Sequence, residues 1–429
     1  MMPNGNIECT NFVEVTFETR VTAKILFKRK YLVTALMAIM FPAFVPLVLS
    51  ETFKPTNPDL VLETLTRRGL STALPPEFRA RRLALRKSPN QLDLALSLAD
   101  ELLKFGRRTS DPRFYGEAEA VLKPWWTQSP PPIAVLFRRA NILQFNHRFD
   151  DALKDLAAYL QGTPDDIQAR LMEATVFQVT GQYVNARKSC EAIAPRRQMI
   201  YRTLCLSSAS AMLDDPRPIY ANLRVMTRDT SSVPPSAGTQ PNPEELYALS
   251  VLADVAIQLN DTKVAIESLR RILANEPSDI YAIITLADLL LDANKMDEVV
   301  PLTCSNPDHD GLLLRCARSI RTSDPKGFQD KVALLDQRIE AERRRQSPAH
   351  LREIAYYLMY LKDAPSDALN AAVENYKTQR EPIDARMLLE AAAARNDRKG
   401  GGPAVQWVKD TRFQYEPFVK LSTALGGVP

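Results

Sequence analysis

The sequence predicts an all-α protein, a solenoid of stacked antiparallel helix pairs behind one N-terminal apolar helix. Three observations carry that expectation. Glycine is scarce and proline plentiful, 14 residues against 31 in a chain of 429, a balance that suits many short helices opening on proline. Apolar residues recur at helical spacing, as at Leu136, Leu143, Leu153, Leu156 and Leu160, which lays one sticky stripe along each helix. Residue types also recur at a fixed interval of 34, the mark of a stacked repeat.

Ile133–Asp166 aligned with Ile167–Ile200 sets Ala140 on Ala174, Phe149 on Tyr183 and Ala152 on Ala186. The first copy closes on Thr163-Pro164-Asp165-Asp166, and the second turns at Gly181-Gln182-Tyr183. Tyr247–Asp279 is a third copy, with Leu252-Ala253, the turn Asn260-Asp261, then Ala265. Its follower keeps Leu286-Ala287 and the turn Ala293-Asn294-Lys295-Met296 but has Val299 where a small residue recurs. Alanine at a helix crossing lets two backbones approach closely. Glycine or asparagine at the turn takes a positive φ at low cost. One pair cannot bury its stripe alone, so pairs stack.

These residues resemble the tetratricopeptide repeat (TPR) family. The resemblance is firm over about 133–200 and 245–300 and looser over most of 90–395. It implies a right-handed α-solenoid whose concave face, lined by the first helix of each pair, binds a peptide or a partner element. The weaker flanking units are Asp93–Lys104 with Asp111–Leu122, Met199–Leu213 with Arg217–Met226, Gly311–Arg321 with Lys326–Arg345, Ala349–Leu361 with Ser366–Tyr376, and Ile383–Arg395 with Pro403–Thr411. Pro403 fits the first helical position after a flexible Gly400-Gly401-Gly402 loop, and Pro417–Leu425 caps the array. Asp229–Pro243 has loop composition, either an exposed insertion or a joint between sub-arrays. The expected division is a leader at 1–50, a linker and helix at 51–89, a sub-array at 90–228, the loop at 229–243 and a second sub-array with capping helices at 244–429.

Tyr31–Leu49 is 19 residues without a charge, preceded by Lys24, Lys28, Arg29 and Lys30. A basic flank before an apolar run is the layout of an export signal or a signal anchor. It holds the N-terminal side in the cytoplasm and sends the remainder across the inner membrane, to the periplasm or cell envelope. Val48-Leu49-Ser50 suits cleavage after Ser50; a retained anchor that tethers the chain to the membrane and a buried core helix are the alternatives. No cysteine closely follows the run, so a lipid-modified N-terminus is excluded. The first 50 residues hold five basic and three acidic residues of the chain's 55 and 51. The body is therefore nearly neutral, which argues against a nucleic-acid partner.

Catalytic chemistry is hard to find. The chain has three histidines, His147, His309 and His350; neither His147 nor His350 is near a cysteine or a second histidine in spacing, so no metal or cofactor motif appears. Asp308-His309-Asp310 reads as a polar loop. No nucleophile elbow, phosphate loop or zincin motif occurs, and no small-molecule substrate is evident. The basic runs Arg79–Lys87 and Glu340–Arg345 read as solvated helix faces, with anionic lipid the minority alternative for the first. Cys190 and Cys205 fall on adjacent expected helices, as do Cys304 and Cys316. Neighbouring helices lie close enough for a bridge within each pair, which an oxidising compartment permits; small buried cysteines are the alternative.

The positions that the resemblance places on the concave face are Phe137, Asn141, Gln144 and Phe145, then Leu171, Thr175 and Gln178, then Tyr247, Asp254 and Gln258, then Tyr281, Asp288 and Leu291. This mixture of amides and aromatics lacks a basic carboxylate clamp. It suits hydrogen bonding to an extended peptide or helix, unless the protein's own terminal helix fills the groove. The expectation is a non-catalytic scaffold for a protein partner. The alternatives are a self-associating structural repeat protein and an enzyme built on an α-solenoid.

Overall fold

The computed structural model describes residues 76–109, 112–228, 242–345 and 350–427. The chain divides after Ser50, and all described residues belong to the second part. The apolar segment Tyr31–Leu49, and with it the export or anchor expectation, lies outside them. Among the described residues every regular element is an α-helix, and no helix is long and apolar enough to cross a membrane.

α1 (Pro76–Lys87) precedes a run of helix pairs. These are α2 (Leu92–Thr109) with α3 (Arg113–Trp126), α4 (Ile133–Phe145) with α5 (Phe149–Gly162), and α6 (Ile167–Val179) with α7 (Tyr183–Glu191). Then come α8 (Pro195–Ala211) with α9 (Pro216–Met226), α10 (Pro243–Gln258) with α11 (Thr262–Asn275), and α12 (Ile280–Asp292) with α13 (Met296–Thr303). The last are α14 (Asp310–Ile320) with α15 (Pro325–Arg345), α16 (Leu351–Tyr360) with α17 (Pro365–Tyr376), and α18 (Pro382–Arg395) with α19 (Arg398–Asp410), before a final α20 (Glu416–Ala424). First helices touch along one side of the stack: α4 on α6, α6 on α8, α8 on α10, α12 on α14, α14 on α16 and α16 on α18.

The repeat is visible in the backbone. Six pairs close their internal turn with one left-handed residue: His147, Gly181, Asn260, Asn294, Asp363 and Asn396, with φ between 51° and 74°. In all six turns the following N–H, of Arg148, Gln182, Asp261, Lys295, Ala364 or Asp397, donates back to a carbonyl of the first helix at 2.7–2.9 Å. That bond satisfies a helix-terminal oxygen and reverses the chain. The next pair starts on an aspartate: Asp166 accepts from Gln168 N and Ala169 N, and Asp279 accepts from Ala282 N. The helix-crossing alanines 140, 152, 174, 186, 253, 265 and 287 are 0–1% exposed, and Val299, where the pattern lapses, is also fully buried.

Two sequence expectations need correction. Gly400–Gly402 are not a loop; they lie in the first turns of α19, and Pro403 sits inside that helix. Asp397 caps Gly400 N at 2.9 Å. A Cβ on Gly401 would lie 2.7 Å from Leu425 and 2.9 Å from Ala392, so glycine there permits a close helix approach. The second concerns the joint between sub-arrays. α10 packs directly on α8 and α9, and one hydrophobic core runs from Leu204 to Leu425. The helices on either side of the 229–243 segment thus form one stack, while residues 229–241 themselves lie outside the described set.

Candidate partner-binding face and the seam that closes on it

The C-terminal third folds back on the middle of the array. Two of its loops sit against the turns of much earlier pairs. Arg380 N donates to Val179 O at 2.7 Å, and Tyr183 Oη donates to Arg380 O at 3.1 Å. The Trp407 indole N–H donates to Tyr183 Oη at 2.8 Å. Gly181 (φ 74°) lies so close that a Cβ there would be 2.9 Å from Arg380 Cδ. One step along, the Gln258 amide donates to Ala211 O at 2.8 Å and Thr411 O at 2.6 Å. Gln414 N donates to Gln258 O at 2.7 Å. Arg412 donates to Leu213 O at 2.7 Å, and Glu416 N to Asn260 Oδ1 at 3.0 Å. At the end of α12, Asp292 accepts from Arg386 at 2.5 and 2.7 Å and from Tyr415 Oη at 2.6 Å. The seam mixes backbone–backbone, side chain–backbone and side chain–side chain bonds, and it gathers at helix termini, where spare donors and acceptors exist.

Beyond the seam, the first-helix face of the C-terminal half is occupied by its own charges. Arg315 binds Asp288 through two bonds of 2.9 and 2.6 Å and lies 4.7 Å over Tyr356. Arg318 lies 3.7 Å over Tyr360 and donates to Tyr356 Oη at 3.2 Å. Arg386 also binds Glu390 at 2.8 Å. Arg352 binds Asp384 at 2.6 and 2.8 Å and also Glu381. Despite burial, these carboxylate partners hold the Arg352 guanidinium well above its ordinary range.

The face residues expected from sequence therefore separate into four groups. Gln258 (2% exposed) and Leu291 (4%) are interior and cannot meet a partner: the first joins the seam and the second joins the core. Phe145 stacks on Tyr115 at 3.6 Å, and Phe137 packs on Tyr159 at 5.3 Å. Leu171 covers the Cys190–Cys205 region. For these three, contact with the neighbouring helix displaces a groove role. Asp288 and Gln178 are engaged within the chain, by Arg315 and by Ser208 Oγ at 2.7 Å. Asn141, Gln144, Thr175, Tyr247, Asp254 and Tyr281 remain at least partly open to solvent.

Sequence reasoning missed Trp407, Arg386, Arg412 and Tyr415, because a seam between positions 94 to 224 residues apart leaves no local pattern. It also separated histidines that the fold brings near one another. The His147 and His350 rings are 5.9 Å apart, and His350 Nδ1 is 3.9 Å from Glu353. His309 accepts from Leu312 N as the cap of α14. Burial, then the neighbouring His350, lowers the His147 pKa. Among the described residues no three His, Cys, Asp or Glu side chains are placed to hold a metal ion.

Disulfides join Cys190 to Cys205, Cα atoms 5.5 Å apart, and Cys304 to Cys316, 5.0 Å apart. Two of the five basic residues of α1 are paired within the chain: Arg81 meets Glu101 at 2.7 Å, and Arg82 meets Glu117; Arg79, Arg86 and Lys87 are exposed.

No family model matches the chain, and no curated protein sequence does. Among solved structures, the crystal structure of the yeast Tom70 is similar over 80% of this chain and 95% of that chain, at 13% identity and a TM-score of 0.22. A likeness at that score bears on neither fold nor function. The helical-repeat architecture rests on the paired helices, recurrent turns and buried alanines described above.

Proposed function

We propose that this chain is a TPR-type, non-catalytic scaffold that binds a protein partner along the first-helix face of α4, α6, α8 and α10, in an oxidising compartment outside the cytoplasm. The observation that carries this reading is the unequal use of the concave face. From α12 onward its charges are spent on one another. On α4 to α10, Asn141, Gln144, Thr175 and Tyr247 are partly or wholly accessible, and no hydrogen bond to another residue's side chain engages any of them among the described residues. Free amides and tyrosines on a rigid groove suit an extended or helical segment. The paired cysteines and the basic-then-apolar leader support the compartment.

The test is site-specific photo-crosslinking in the full-length protein in cells. A benzophenone amino acid at Gln144 or Thr175 is expected to give a discrete heterologous adduct, and one at Asp288 none. Equal adducts from all three positions, or adducts only to a second copy of the chain, would overturn the proposal. The second outcome would favour the self-associating alternative. An alkylation assay on intact cells tests the compartment: free thiols at Cys190 and Cys205 would remove it.

A further inference from the structure

Asp254 differs from every other carboxylate named on the first helices of the C-terminal seam and face. Asp288 has Arg315, Asp292 and Glu390 share Arg386, Asp384 has Arg352, and Glu353 lies within the field of Arg352. Asp254 has a hydrogen bond from Tyr281 Oη and, among the described residues, no cation. The charge that acts on it most from across the groove is another carboxylate, Glu381 at the start of α18. It is nonetheless accessible to solvent, and Tyr281 is 47% exposed.

Its surroundings have the chemistry of a cation subsite. Tyr247 precedes Asp254 by seven residues on α10, which puts both on one helix face about 10 Å apart. The Tyr201 ring of α8 lies beside Tyr247, centroids 6.4 Å apart and planes 25° from parallel. Neither hydroxyl has a hydrogen-bond partner among the described residues, and burial in the groove holds the Tyr247 hydroxyl protonated, up to about 12. A tyrosine face attracts a cation, and the aliphatic stem of lysine or arginine covers such rings while its head reaches beyond them. The carboxylate supplies the counter-charge at that distance and keeps free lone pairs after accepting from Tyr281.

We propose that the strip Tyr201–Tyr247–Asp254–Tyr281 receives a lysine or arginine side chain of the bound partner, stem over the rings and charged head at Asp254. The inference rests on the protein-binding reading and narrows it: the partner segment is basic at that point. An acidic segment would face Asp254 and Glu381 together and be repelled.

Fluorescence polarisation with the full-length protein tests it, using four pools of labelled eleven-residue peptides. The central residue is fixed as Arg, Lys, Gln or Glu, and all other positions are randomised. The Arg and Lys pools are expected to bind about tenfold more tightly than the Glu pool, the equivalent of one good ion pair. Asp254→Asn should abolish that preference while leaving Gln-pool binding intact, and Tyr247→Ala should weaken the Arg and Lys pools more than the Gln pool. The preference should grow between pH 6 and pH 8 as the Asp254 carboxyl ionises. Equal binding of all pools, or a preference that survives Asp254→Asn, overturns the cation subsite and leaves the protein-binding reading standing. Failure of every pool, Gln included, overturns both.

Discussion

The first-helix faces of α4–α10 and of α12–α18 are built from the same kind of unit, yet they end in opposite conditions. The N-terminal face keeps small amides, a threonine and tyrosines, and little crosses it. The C-terminal face carries Asp288, Asp292, Arg315, Arg318, Arg352, Arg386 and Glu390, and each has found a partner within the chain. Long arginines with planar heads pair bidentately and stack on tyrosine, so a face rich in them satisfies itself. Gln178 and Gln258 do reach the next element, but Asn141 and Gln144 on α4 engage no neighbouring side chain and stay available. In a solenoid, side-chain reach thus decides which stretch of groove is scaffold and which is open to a ligand.

The sharpest way to break this contrast is at Arg386. It is buried, and its loss strands Asp292 and Glu390 together. Arg386→Ala should cost about 3–5 kcal/mol, the usual penalty for removing one partner of a buried charge cluster, seen as a lower urea midpoint. Arg138→Ala, removing the pair with half-exposed Asp100 on the N-terminal half, should cost no more than about 1 kcal/mol. Equal costs would show that the two halves do not differ in how they use charge.

Reduction comes next. The Cys190–Cys205 bridge joins residues 15 apart, and closing a loop of that size stabilises by about 3 kcal/mol. Cys190→Ser with Cys205→Ser should lower the melting temperature and abolish its dependence on reductant at that site. An unchanged melting temperature would mean that the bridge is absent in solution.

Gln258 probes the seam itself. Gln258→Ala leaves the buried Ala211 and Thr411 carbonyls without their donor, at about 1–3 kcal/mol. Hydrogen exchange should rise in 411–416 and remain unchanged in α4. Faster exchange in α4 as well would show that the two halves unfold as one unit.

The smallest effect belongs to Asp254. Its partly desolvated position within the groove raises its carboxyl toward about 7 from an ordinary 3.8, with Glu381 adding to the rise, and the water that still reaches the side chain limits the effect. The folded state therefore binds this proton more tightly than the unfolded chain. That stabilisation is present below pH 4 and is lost as pH rises toward 7. Asp254→Asn should match the wild type near pH 4 and exceed it at pH 8, by about 1 kcal/mol once solvent access is allowed for. A variant less stable at pH 8 would show that the carboxylate has a cationic partner in the free protein.

Much of the fold was legible because its signals are local. Helix spacing, capping aspartates, turn residues with positive φ and alanines 34 apart are fixed within a single pair. His147 stands where Gly181 stands one repeat later, and the backbone bends alike at both. Legibility failed at Gly400–Gly402, where composition says loop but the close packing of Leu425 and Ala392 holds a helix. It also failed for the groove. Phe145, Gln258 and Leu291 occupy positions that the repeat pattern assigns to the concave face, but Tyr115, Thr411 and the core claim them.

The helical period, the pairing of neighbours and the residue types that the groove can offer were all readable from local pattern, since each depends on residues within about 40 positions. Which of those residues stay free was settled by packing between distant helices. Closure brings Arg380 to Val179 and Thr411 to Gln258, and no pattern in the chain marks contacts between residues 150 to 200 apart. The same closure brings Glu381 within electrostatic reach of Asp254 and places no arginine beside it, and so turns one of several acidic positions into the candidate docking point.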